Sequence, residues 1–437
     1  MKTLVVGGGG REHALVWKLA QSPKVTKLYA APGNPGMEDI AERIPVGAED
    51  IGGIAAFAER GKIDLAVIGP EAPLAAGLAD RLRERGVLCF GPGARGALLE
   101  SSKRFARDFM ARHDIPEPRY HSFVTLDEAG RHLETLPDGP VVVKADGLAQ
   151  GKGVVVAQNR AGARVALGEM MGEGRFGEAG KEVLIEECLS GEEVSLLTFT
   201  DGKTILPMLP VQDHKRAGEG DTGPNTGGMG TCAPVSVFTP EVAGRVDETI
   251  IRPLQKALRE EKIDYRGCLY IGLMLTPDDS GAVIPRVIEF NARFGDPETQ
   301  VLMPLLKSDL FDILYACARG ELGDVRPEWS DGRAVCVVMA SGGYPGKYST
   351  GHVIEGLSAE EVPLDIGHDS WVFHAGTDRN DRGDSITSGG RVLGVTARGA
   401  TLEEALRRVY ARVDAIRFEG RIFRRDIAHR ELSRRKP

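Results

Sequence analysis

The sequence predicts a multidomain protein of mixed α/β and α+β class, and three patterns along the chain support this. Short apolar strands alternate with amphipathic helices over residues 1–98, as in a parallel α/β domain. Strands then come in pairs, joined by glycine-rich or polar turns, over residues 99–325. After Pro327, short strands and one long helix indicate a small α+β domain over residues 326–437. We therefore expect three domains with these bounds.

Length, charge and cysteine content disfavour several classes of protein. The chain has 437 residues, a net charge of −8 and no basic run, so a nucleic-acid-binding protein is disfavoured. Its six cysteines form no C-x-x-C pair, which favours free thiols over a disulfide framework or a zinc site. There is no signal-peptide pattern and no apolar run of transmembrane length. We expect a cytoplasmic monomer that binds small molecules and neither nucleic acid nor membranes.

The N-terminal domain is predicted to be Rossmann-like, with a binding rim at the carboxyl ends of its strands. Four predicted strands each end in a Gly/Pro-rich loop: 3–7, 27–31, 65–69 and 87–90. The first loop does not match a dinucleotide-binding fingerprint, because Glu12 or His13 stands where the third glycine would be. The loop is suited either to a phosphate at a helix N-terminus or to a tight strand-to-helix turn.

A glycine-rich loop between two predicted strands indicates a lid, within a subdomain at about residues 121–191. Val141–Lys144 is the first strand, and the loop runs from Ala145 to Gly153 before the second strand. The loop is not a Walker A motif, since it is one residue short and Gly153 stands where Ser or Thr would follow Lys152. A surface hairpin is the alternative. Lys144 at the end of an apolar strand makes that alternative less attractive, because a buried lysine needs an anionic partner.

A second strand pair carries acidic residues at its turn. The predicted strands Val183–Leu189 and Glu192–Phe199 are joined by a Ser-Gly turn. The carboxylates of Glu186, Glu187 and Glu193 either line an adenine and ribose pocket or are ordinary solvated acids. The segment 217–230 is too rich in glycine to pack a core, so we expect a loop that is either functional or disordered.

The densest polar motif is Val287–Gln300. It begins as a strand on which Glu289 and Asn291, two residues apart, leave the same face. A carboxylate and an amide oxygen side by side are suitable ligands for Mg²⁺. Arg293 follows in a turn and is suited to grip a carboxylate through two parallel hydrogen bonds. Glu298 then begins a predicted helix.

The order of these features predicts ATP held between two lobes, with Mg²⁺ bridging its phosphates. The sequence has no nucleophile-elbow motif, no protein-kinase catalytic loop and no evident cysteine–histidine pair for a covalent acyl intermediate. Phosphoryl transfer depends on positioning and charge neutralisation more than on covalent catalysis. These residues therefore favour a reaction in which ATP phosphorylates a carboxylate that an amine then attacks.

Several motifs, in one order over essentially the whole chain, resemble those of the ATP-grasp ligases, and specifically the glycinamide ribonucleotide synthetase family. The most distinctive are GGGGREH (Gly7–His13), KADGLAQGKG (Lys144–Gly153) and RFGDPETQ (Arg293–Gln300). The shorter matching segments are Pro32–Asn34, Gly69–Glu71, Gln212–Arg216, Asn225–Gly230, Ser341–Gly346 and Phe373–Thr377.

The resemblance implies an ATP-grasp core over 99–325 and a reaction of de novo purine biosynthesis. ATP would phosphorylate glycine, and the amine of 5-phosphoribosylamine would attack the glycyl phosphate to give glycinamide ribonucleotide, ADP and phosphate. The implied ligands of Mg²⁺ or Mn²⁺ are Glu289 and Asn291. The implied ATP-binding residues are Lys103, Lys144, Gly147, Gly151, Lys152, Gly153, Glu186, Glu187, Leu189 and Glu193.

The same resemblance implies positions for the other two substrates. Arg293 would bind the glycine carboxylate, with Asp213 and Asp296 near the glycine ammonium group, and these three residues are our candidates for catalysis. The implied substrate-binding residues are Gly9, Gly10, Asn34, Pro70, Glu71, Asp213, Arg293, Gly295 and Asp296. The chain departs from the wider ATP-grasp pattern in one respect. Many of those enzymes take a further acidic metal ligand from the preceding strand, whereas Leu269–Leu275 contains no acid, which leaves the metal stoichiometry open.

Two other functions compete with this interpretation. Another ATP-grasp enzyme, such as a carboxylase acting on a purine intermediate or a biotin carboxylase, would share the lid and the metal-binding hairpin. Arg293–Gln300 and Gln212–Gly230 favour the glycine ligase over these. A non-catalytic nucleotide-binding regulator is disfavoured by the intact metal pair and by Lys144.

Overall fold

The computed structural model describes residues 1–148, 153–172, 177–278, 280–358, 362, 364 and 368–434. Its N-terminal part is a five-stranded sheet in the order β3-β2-β1-β4-β5, with every pair of strands parallel, as predicted. Its elements are β1 (Lys2–Gly7), α1 (Gly10–Ala20), β2 (Lys27–Pro32), β3 (Glu42–Arg43), α2 (Ile51–Gly61), β4 (Leu65–Ile68), α3 (Glu71–Ala75), α4 (Leu78–Glu84), β5 (Leu88–Phe90) and α5 (Ala94–Ser101).

The strand order of this sheet reverses between β1 and β4, and ligands of open α/β sheets bind at such a reversal. The loops after these two strands therefore open toward the remainder of the molecule. The sequence pattern predicts one helix from about Leu74 to Arg85, whereas the structure has two short helices there, α3 and α4. Gly77 lies between them with φ of 80°, a left-handed conformation that glycine adopts without a steric penalty.

A helix and a small subdomain follow, and both were predicted. Helix α6 (Lys103–Arg112) begins after Ser102, whose hydroxyl accepts a hydrogen bond from the Phe105 amide at 3.1 Å. The lid is an antiparallel sheet in the order β6-β9-β7-β8 with its own apolar core, to which Val143 and Ile185 belong. Its elements are β6 (Tyr120–Phe123), α7 (Leu126–Thr135), β7 (Val141–Ala145), β8 (Val154–Ala157), α8 (Arg160–Leu167) and β9 (Val183–Glu187).

The central sheet is antiparallel, in the order β11-β10-β16-β17, and its last two strands form the predicted hairpin. This hairpin delivers the polar motif to one end of the sheet. The elements of this part are β10 (Glu192–Thr200), β11 (Ile205–Pro207), β12 (Gln212–Asp213), β13 (Arg216–Gly218), β14 (Thr222–Asn225), β15 (Gly230–Ala233), α9 (Pro240–Val246), α10 (Arg252–Glu260), β16 (Gly267–Pro277), β17 (Val283–Asn291), α11 (Glu298–Leu305) and α12 (Leu310–Arg319).

The C-terminal sheet has the order β12-β15-β18-β22-β19, so it takes two strands from before the predicted domain boundary. In the glycine-rich segment 217–230, parts of the chain form β13 and β14, which pair as a separate two-stranded sheet, and Gly230 begins β15. Met229 within the segment is fully buried. The expectation that this segment packs no core is therefore wrong at its end. The remaining elements are β18 (Arg333–Ala340), β19 (Ser370–His374), β20 (Thr377–Arg379), β21 (Ser385–Thr387), β22 (Arg391–Gly399), α13 (Leu402–Ala415) and α14 (His429–Arg434).

All six cysteines are described, and all six are free thiols, five of them buried. This agrees with the prediction of free, mostly buried thiols. Within the described parts of the chain, no helix combines the length and the apolar character needed to cross a membrane.

Candidate active site

A cleft of about 780 Å³ lies where the N-terminal sheet, the lid, the central sheet and the C-terminal domain meet. Strands β16 and β17 contribute its floor, and Tyr344 and Arg391 of the C-terminal domain contribute one wall. The predicted site residues that line it are Pro70, Glu71, Lys103, Lys144, Gly147, Gly153, Glu186, Asp213, Glu289, Asn291, Arg293 and Asp296.

Other predicted site residues lie elsewhere. Of the described residues, those outside the lining of the cleft are Gly9, Gly10, Asn34, Glu187, Leu189, Glu193 and Gly295. Gly151 and Lys152 fall outside the described residues.

Two of these positions, Asn34 and Gly10, also have structural roles within the protein. Asn34 is buried, and its amide Nδ2 donates to the carbonyl oxygens of Gly8 at 2.9 Å and His374 at 2.8 Å. Both of its N–H donors are therefore used within the protein. Gly10 is buried against Gln300, whose Nε2 would lie 2.7 Å from a Cβ at position 10. Asn34 thus fixes a loop, and Gly10 permits close packing.

The Glu186 carboxylate pairs with two buried cations. This pairing corrects the prediction that the carboxylate frames the nucleoside. Its carboxylate accepts from Nε and Nη2 of Arg107, both at 2.8 Å, and pairs with Nζ of Lys144 at 2.8 Å. Burial alone would raise the pKa of Glu186, but Lys144 and Arg107 lower it below its usual value. The expectation that Lys144 needs an anionic partner is confirmed, and Glu186 is that partner.

The next residue in the strand points the other way. Successive side chains of a strand leave opposite faces, so Glu187 turns away from the cleft. Its carboxylate pairs with Arg119 at 3.1 Å and with Arg286 at 3.2 Å. Of the two interpretations of Glu187, a nucleoside contact or an ordinary surface acid, the second therefore fits its side chain better.

Two lysines connect the lid and the floor of the cleft. Nζ of Lys103 donates to the Gly147 carbonyl at 2.9 Å, and Nζ of Lys144 donates to the Ile288 carbonyl at 2.9 Å. Burial lowers the pKa of both ammonium groups, against the nearby carboxylates that raise it. Desolvated ammonium groups of this kind bind a polyanion strongly, because little water remains to be displaced.

Glu289 and Asn291 lie on one face of β17, as predicted. They are opposite Gly272 and Tyr270 of β16. Burial would raise the pKa of Glu289, but Lys215 and the other nearby ammonium groups lower it to about 2, so its carboxylate is ionised.

These two side chains fit a hard divalent cation. In the described parts of the chain no three His, Cys, Asp or Glu side chains come together as a metal cage. A carboxylate and an amide oxygen alone suit Mg²⁺, which keeps several waters and takes its other ligands from substrate phosphates.

Arg293 is held between two carboxylates. Its Nε lies 3.2 Å from Glu71 Oε2 and its Nη2 lies 3.1 Å from Glu100 Oε1, while Nη1 donates to the Phe294 carbonyl at 3.2 Å. Burial would lower its pKa, but Glu100 and Glu71 hold the pKa above its usual value. The guanidinium is therefore fixed in place with part of Nη1 left for a ligand.

Asp296 is fixed by the C-terminal domain. Arg391 donates from Nη1 to the Asp296 carbonyl at 2.6 Å and to the Gly227 carbonyl, and its Nη2 lies 3.5 Å from Asp296 Oδ2. Burial opposes ionisation of Asp296, but Arg391 and Arg11 lower its pKa. Asp296 therefore brings a negative charge to the cleft.

Glu298 completes an acidic group that sequence reasoning did not assign. Its Oε1 accepts from Ser195 Oγ at 3.1 Å, and Ser195 Oγ lies 2.8 Å from the Tyr270 hydroxyl. Burial, and then the charge of Glu298, raise the pKa of Asp213 well above its usual value; burial also raises the pKa of Glu298. Two carboxyl groups that resist ionisation together form a site for an ammonium group or a proton.

The described lining of the cleft is formally neutral. Its seven cationic side chains are Arg11, Lys103, Arg107, Lys144, Lys215, Arg293 and Arg391. Its seven acidic side chains are Glu71, Glu100, Glu186, Asp213, Glu289, Asp296 and Glu298. A triphosphate that enters such a cleft brings uncompensated negative charge, so the arrangement favours a nucleotide that arrives with a divalent cation.

Sequence reasoning missed several of these residues for different reasons. Lys215 and Glu298 lie inside two of the matching motifs, Gln212–Arg216 and Arg293–Gln300. Their position next to predicted site residues could have identified them as candidates. Glu100 lies in an ordinary amphipathic helix, and Arg391 begins a strand in the C-terminal domain. Neither of these two has a local pattern that distinguishes it from a surface charge.

Family models of phosphoribosylglycinamide synthetase match the chain in three consecutive parts. The N domain matches residues 1–100, the ATP-grasp (A) domain matches residues 101–299 and the C domain matches residues 334–430. Proteins named phosphoribosylamine–glycine ligase are similar over nearly the whole chain. The protein of Salmonella typhimurium is 48% identical over 99% of both chains, and that of Caulobacter vibrioides is 49% identical over 99% of both.

Solved structures of related proteins have the same fold as this chain. A phosphoribosylamine–glycine ligase from Thermotoga maritima has a TM-score of 0.83 at 33% identity, covering 98% of this chain and 100% of that one. The biotin carboxylase domain of 2-oxoglutarate carboxylase from Hydrogenobacter thermophilus, solved with MgADP and bicarbonate, has a TM-score of 0.72 at 16% identity. It covers 97% of this chain and 91% of that chain, and at this identity it speaks for the fold alone.

Proposed function

The chain belongs to the phosphoribosylglycinamide synthetase family, and we propose that the cleft between its domains ligates glycine to 5-phosphoribosylamine with ATP. The reaction gives glycinamide ribonucleotide, ADP and phosphate, a step of purine biosynthesis. One observation carries the proposal: in a single cleft, Lys103 and Lys144 lie near the Glu289–Asn291 pair, and the fixed guanidinium of Arg293 adjoins them.

ATP lies between the lid and the floor of the cleft. The ammonium groups of Lys103 and Lys144 contact its phosphates, and Gly147 and Gly153 of the lid adjoin them. The nucleoside lies beside the end of β9, where the backbone of Glu187 and Leu189 offers polar groups to the base and Glu193 offers a carboxylate to the ribose. Support for this position comes from Leu148, Met110 and Phe290, apolar residues that line the same cleft.

Glu289 and Asn291 hold Mg²⁺ or Mn²⁺ through their side-chain oxygens. The cation supplies charge neutralisation for the phosphates of ATP. The protein contributes the ionised state of Glu289, which its ammonium neighbours maintain.

Glycine binds beside Arg293, with its ammonium group toward Asp213, Asp296 and Glu298. A carboxylate oxygen of glycine attacks the γ-phosphorus of ATP, the bond from that phosphorus to the bridging oxygen breaks, and ADP leaves. Arg293 orients the attacking carboxylate through the N–H that its own partners leave available. Because Glu71 and Glu100 hold the guanidinium, glycine does not have to order it on binding.

Phosphoribosylamine enters from the N-terminal rim, where Pro70 and Glu71 line the cleft; Gly9 and Gly295 are proposed to contact it there. A Cβ at Gly9 would lie 3.3 Å from Asp296 Oδ2, so the loop reaches the glycine site directly. The amine nitrogen attacks the carbonyl carbon of glycyl phosphate, and phosphate leaves as the amide forms. The nitrogen loses one proton, which the Asp213 and Glu298 carboxylates are suited to accept.

The protein works as a monomer in the cytoplasm. All parts of the cleft come from one chain, since the N-terminal sheet, the lid, the central sheet and the C-terminal domain each contribute lining residues. Six free thiols are typical of a reducing compartment. Sedimentation of the purified chain at increasing concentration tests the monomer.

ADP release by the purified protein tests the reaction. The assay contains ATP, Mg²⁺, glycine and freshly prepared phosphoribosylamine, with each substrate omitted in turn. We expect ADP release that requires glycine and rises with phosphoribosylamine. Release that depends on bicarbonate in place of glycine would identify a carboxylase, and binding of ATP without any turnover would identify a nucleotide-binding regulator.

A further inference from the structure

The hairpin of β13 and β14 forms part of the wall of the cleft, although its tip lies at the surface. Lys215, directly before β13, and the residues from Asn225 to Gly227 at the end of β14 all line the cleft. The two strands pair as a separate two-stranded sheet. A two-stranded hairpin alone is at best marginally stable in water, so contacts from outside must hold this one.

One of these outside contacts is a single arginine, Arg424, which is 1% exposed. Its Nε and Nη2 donate to the two carboxylate oxygens of Asp426 at 2.8 Å and 2.7 Å. Its Nη1 donates to the Arg216 carbonyl at 3.1 Å and to Asp221 Oδ1 at 3.0 Å. Arg424 is therefore hydrogen-bonded to both the first strand and the tip of the hairpin, and its planar guanidinium fixes the direction of each bond.

The residues after Arg424 hold the same part of the chain, and we call residues 424–428 the C-terminal clamp. Asp426 Oδ2 also accepts from the Gly220 amide at 2.8 Å, and the Ala428 amide donates to His214 Nε2 at 3.0 Å. Five non-glycine residues in the described parts of the chain have a left-handed backbone, and Asp221 (φ 55°) and Ala428 (φ 67°) are two of them. Such a conformation persists only where the surrounding contacts determine it.

The clamp is connected to the cleft through the backbone of the hairpin. Arg216, whose carbonyl Arg424 binds, is the neighbour of Lys215. The Lys215 carbonyl accepts from the amide of Thr226 at 2.7 Å and from its hydroxyl at 2.9 Å. Nζ of Lys215 lies 3.2 Å from Glu289 Oε1 and forms an ion pair with Glu193. Fixing the hairpin therefore fixes the place of this ammonium group.

We propose that Arg424 is a positioning residue of the reaction, which holds the hairpin so that the Lys215 ammonium group stands beside ATP. This inference rests on the proposed function, since it assumes ATP at the floor of the cleft. Arg424 is not among the described residues that line the cleft. It therefore acts through the hairpin and touches no substrate.

The far end of the hairpin has anchors of its own. The Gly227 amide donates to the Tyr344 hydroxyl at 3.1 Å, and the Gly227 carbonyl accepts from Arg391 Nη1. Arg391 also binds Asp296, beside the proposed position of glycine. Loss of the clamp should therefore disturb the nucleotide at Lys215 more than it disturbs glycine.

Binding of a non-hydrolysable ATP analogue with Mg²⁺, measured by calorimetry on the full chain, tests the inference. Arg424→Met removes the charge and the hydrogen bonds of Arg424 but keeps a long side chain. We expect its Kd for the analogue to rise on the order of tenfold, as is typical when a group of the site is misplaced. KM for ATP should rise with it, while KM for glycine should stay within about twofold.

Two further variants make the test specific. Arg425→Met is the matched control, because the Arg425 side chain is 55% exposed and pairs with Asp414 at 2.6 Å, away from the hairpin. Its Kd for the analogue should be unchanged. Asp221→Asn removes the charge on the hairpin side and keeps Arg424, so it should raise the Kd in the same direction. This milder variant decides the question if Arg424→Met does not fold.

An unchanged Kd in a folded Arg424→Met or Asp221→Asn protein would overturn the inference. Fewer binding sites per chain at an unchanged Kd would do the same, because that result describes loss of folded protein and not a misplaced group. An equal rise of KM for ATP and KM for glycine would also count against it. Because binding of the analogue needs neither glycine nor phosphoribosylamine, its failure is distinct from a failure of the proposed reaction.

Discussion

The buried triad of Arg107, Glu186 and Lys144 gives the most quantitative prediction. The three side chains are 3%, 2% and 9% exposed, and Glu186 meets both cations at 2.8 Å. Glu186→Gln preserves the shape of the side chain but leaves two buried cations without an anion. Removing one partner from a buried ion pair costs about 3–5 kcal/mol. Both cations keep backbone carbonyl acceptors, such as Ile288, so we expect a loss near the lower end of that range.

A matched control lies four residues earlier in the chain. Glu182 pairs with Arg104 at 3.2 Å, and Arg104 is 51% exposed. Arg104 and Arg107 belong to the same helix, α6, so Glu182→Gln makes the same chemical change against the same element. A pair at the surface contributes about 0–1 kcal/mol. The difference between the two variants therefore isolates the effect of burial.

Urea unfolding followed by circular dichroism measures both losses. We expect the midpoint of Glu186→Gln to fall well below that of Glu182→Gln at an unchanged slope with denaturant. We also expect weaker binding of an ATP analogue to Glu186→Gln, because Lys144 loses its anchor. Equal free energies of unfolding for the two variants, within about 0.5 kcal/mol, would refute the argument from burial.

Three further predictions concern the metal, the glycine site and pH. Glu289→Gln is expected to weaken Mg²⁺ affinity on the order of tenfold or more and to lower kcat, and an unchanged kcat at low Mg²⁺ would remove Glu289 from the metal site. In Arg293→Lys an ammonium group cannot both keep the contacts to Glu71 and Glu100 and offer the same N–H to glycine, so KM for glycine should rise on the order of tenfold to a hundredfold; a selective defect in KM for ATP would place Arg293 on the phosphates. Burial lowers the pKa of His214 and His374 to about 4, so the unfolded chain takes up protons at higher pH than the folded chain. The free energy of unfolding should therefore fall as pH drops from about 6.5 toward about 4, and it should fall less in His214→Gln; equal falls would contradict this.

The sequence predicted the elements that depend on local patterns. Alternating strands and helices predicted the parallel N-terminal sheet, and the apolar strand before Glu289 predicted the hairpin of β16 and β17. The same-face rule placed Glu289 and Asn291 together. These features follow from side-chain periodicity, which a single sequence displays directly.

Features that depend on distant segments could not be predicted in this way. The C-terminal sheet recruits β12 and β15 across the predicted boundary at residue 326, which no local pattern announces. The resemblance implied that Glu186 frames the nucleoside, and no local pattern indicated its pairing with Arg107, which lies 79 residues earlier on an amphipathic helix. Asn34 was assigned to substrate although His374, 340 residues away, uses its amide.

The absence of an acid in β16 and the position of Lys215 are two parts of one arrangement. The sequence showed that Leu269–Leu275 carries no carboxylate. Lys215 lies 74 residues before Glu289, so the sequence could not show that its side chain points toward that carboxylate. Gly272 makes room for Glu289, and Lys215, in the segment between β12 and β13, supplies a positive charge beside it. The charge balance of the cleft is therefore set by side-chain placement across three strands, and a change at Gly272 should disturb it as much as a change at Lys215.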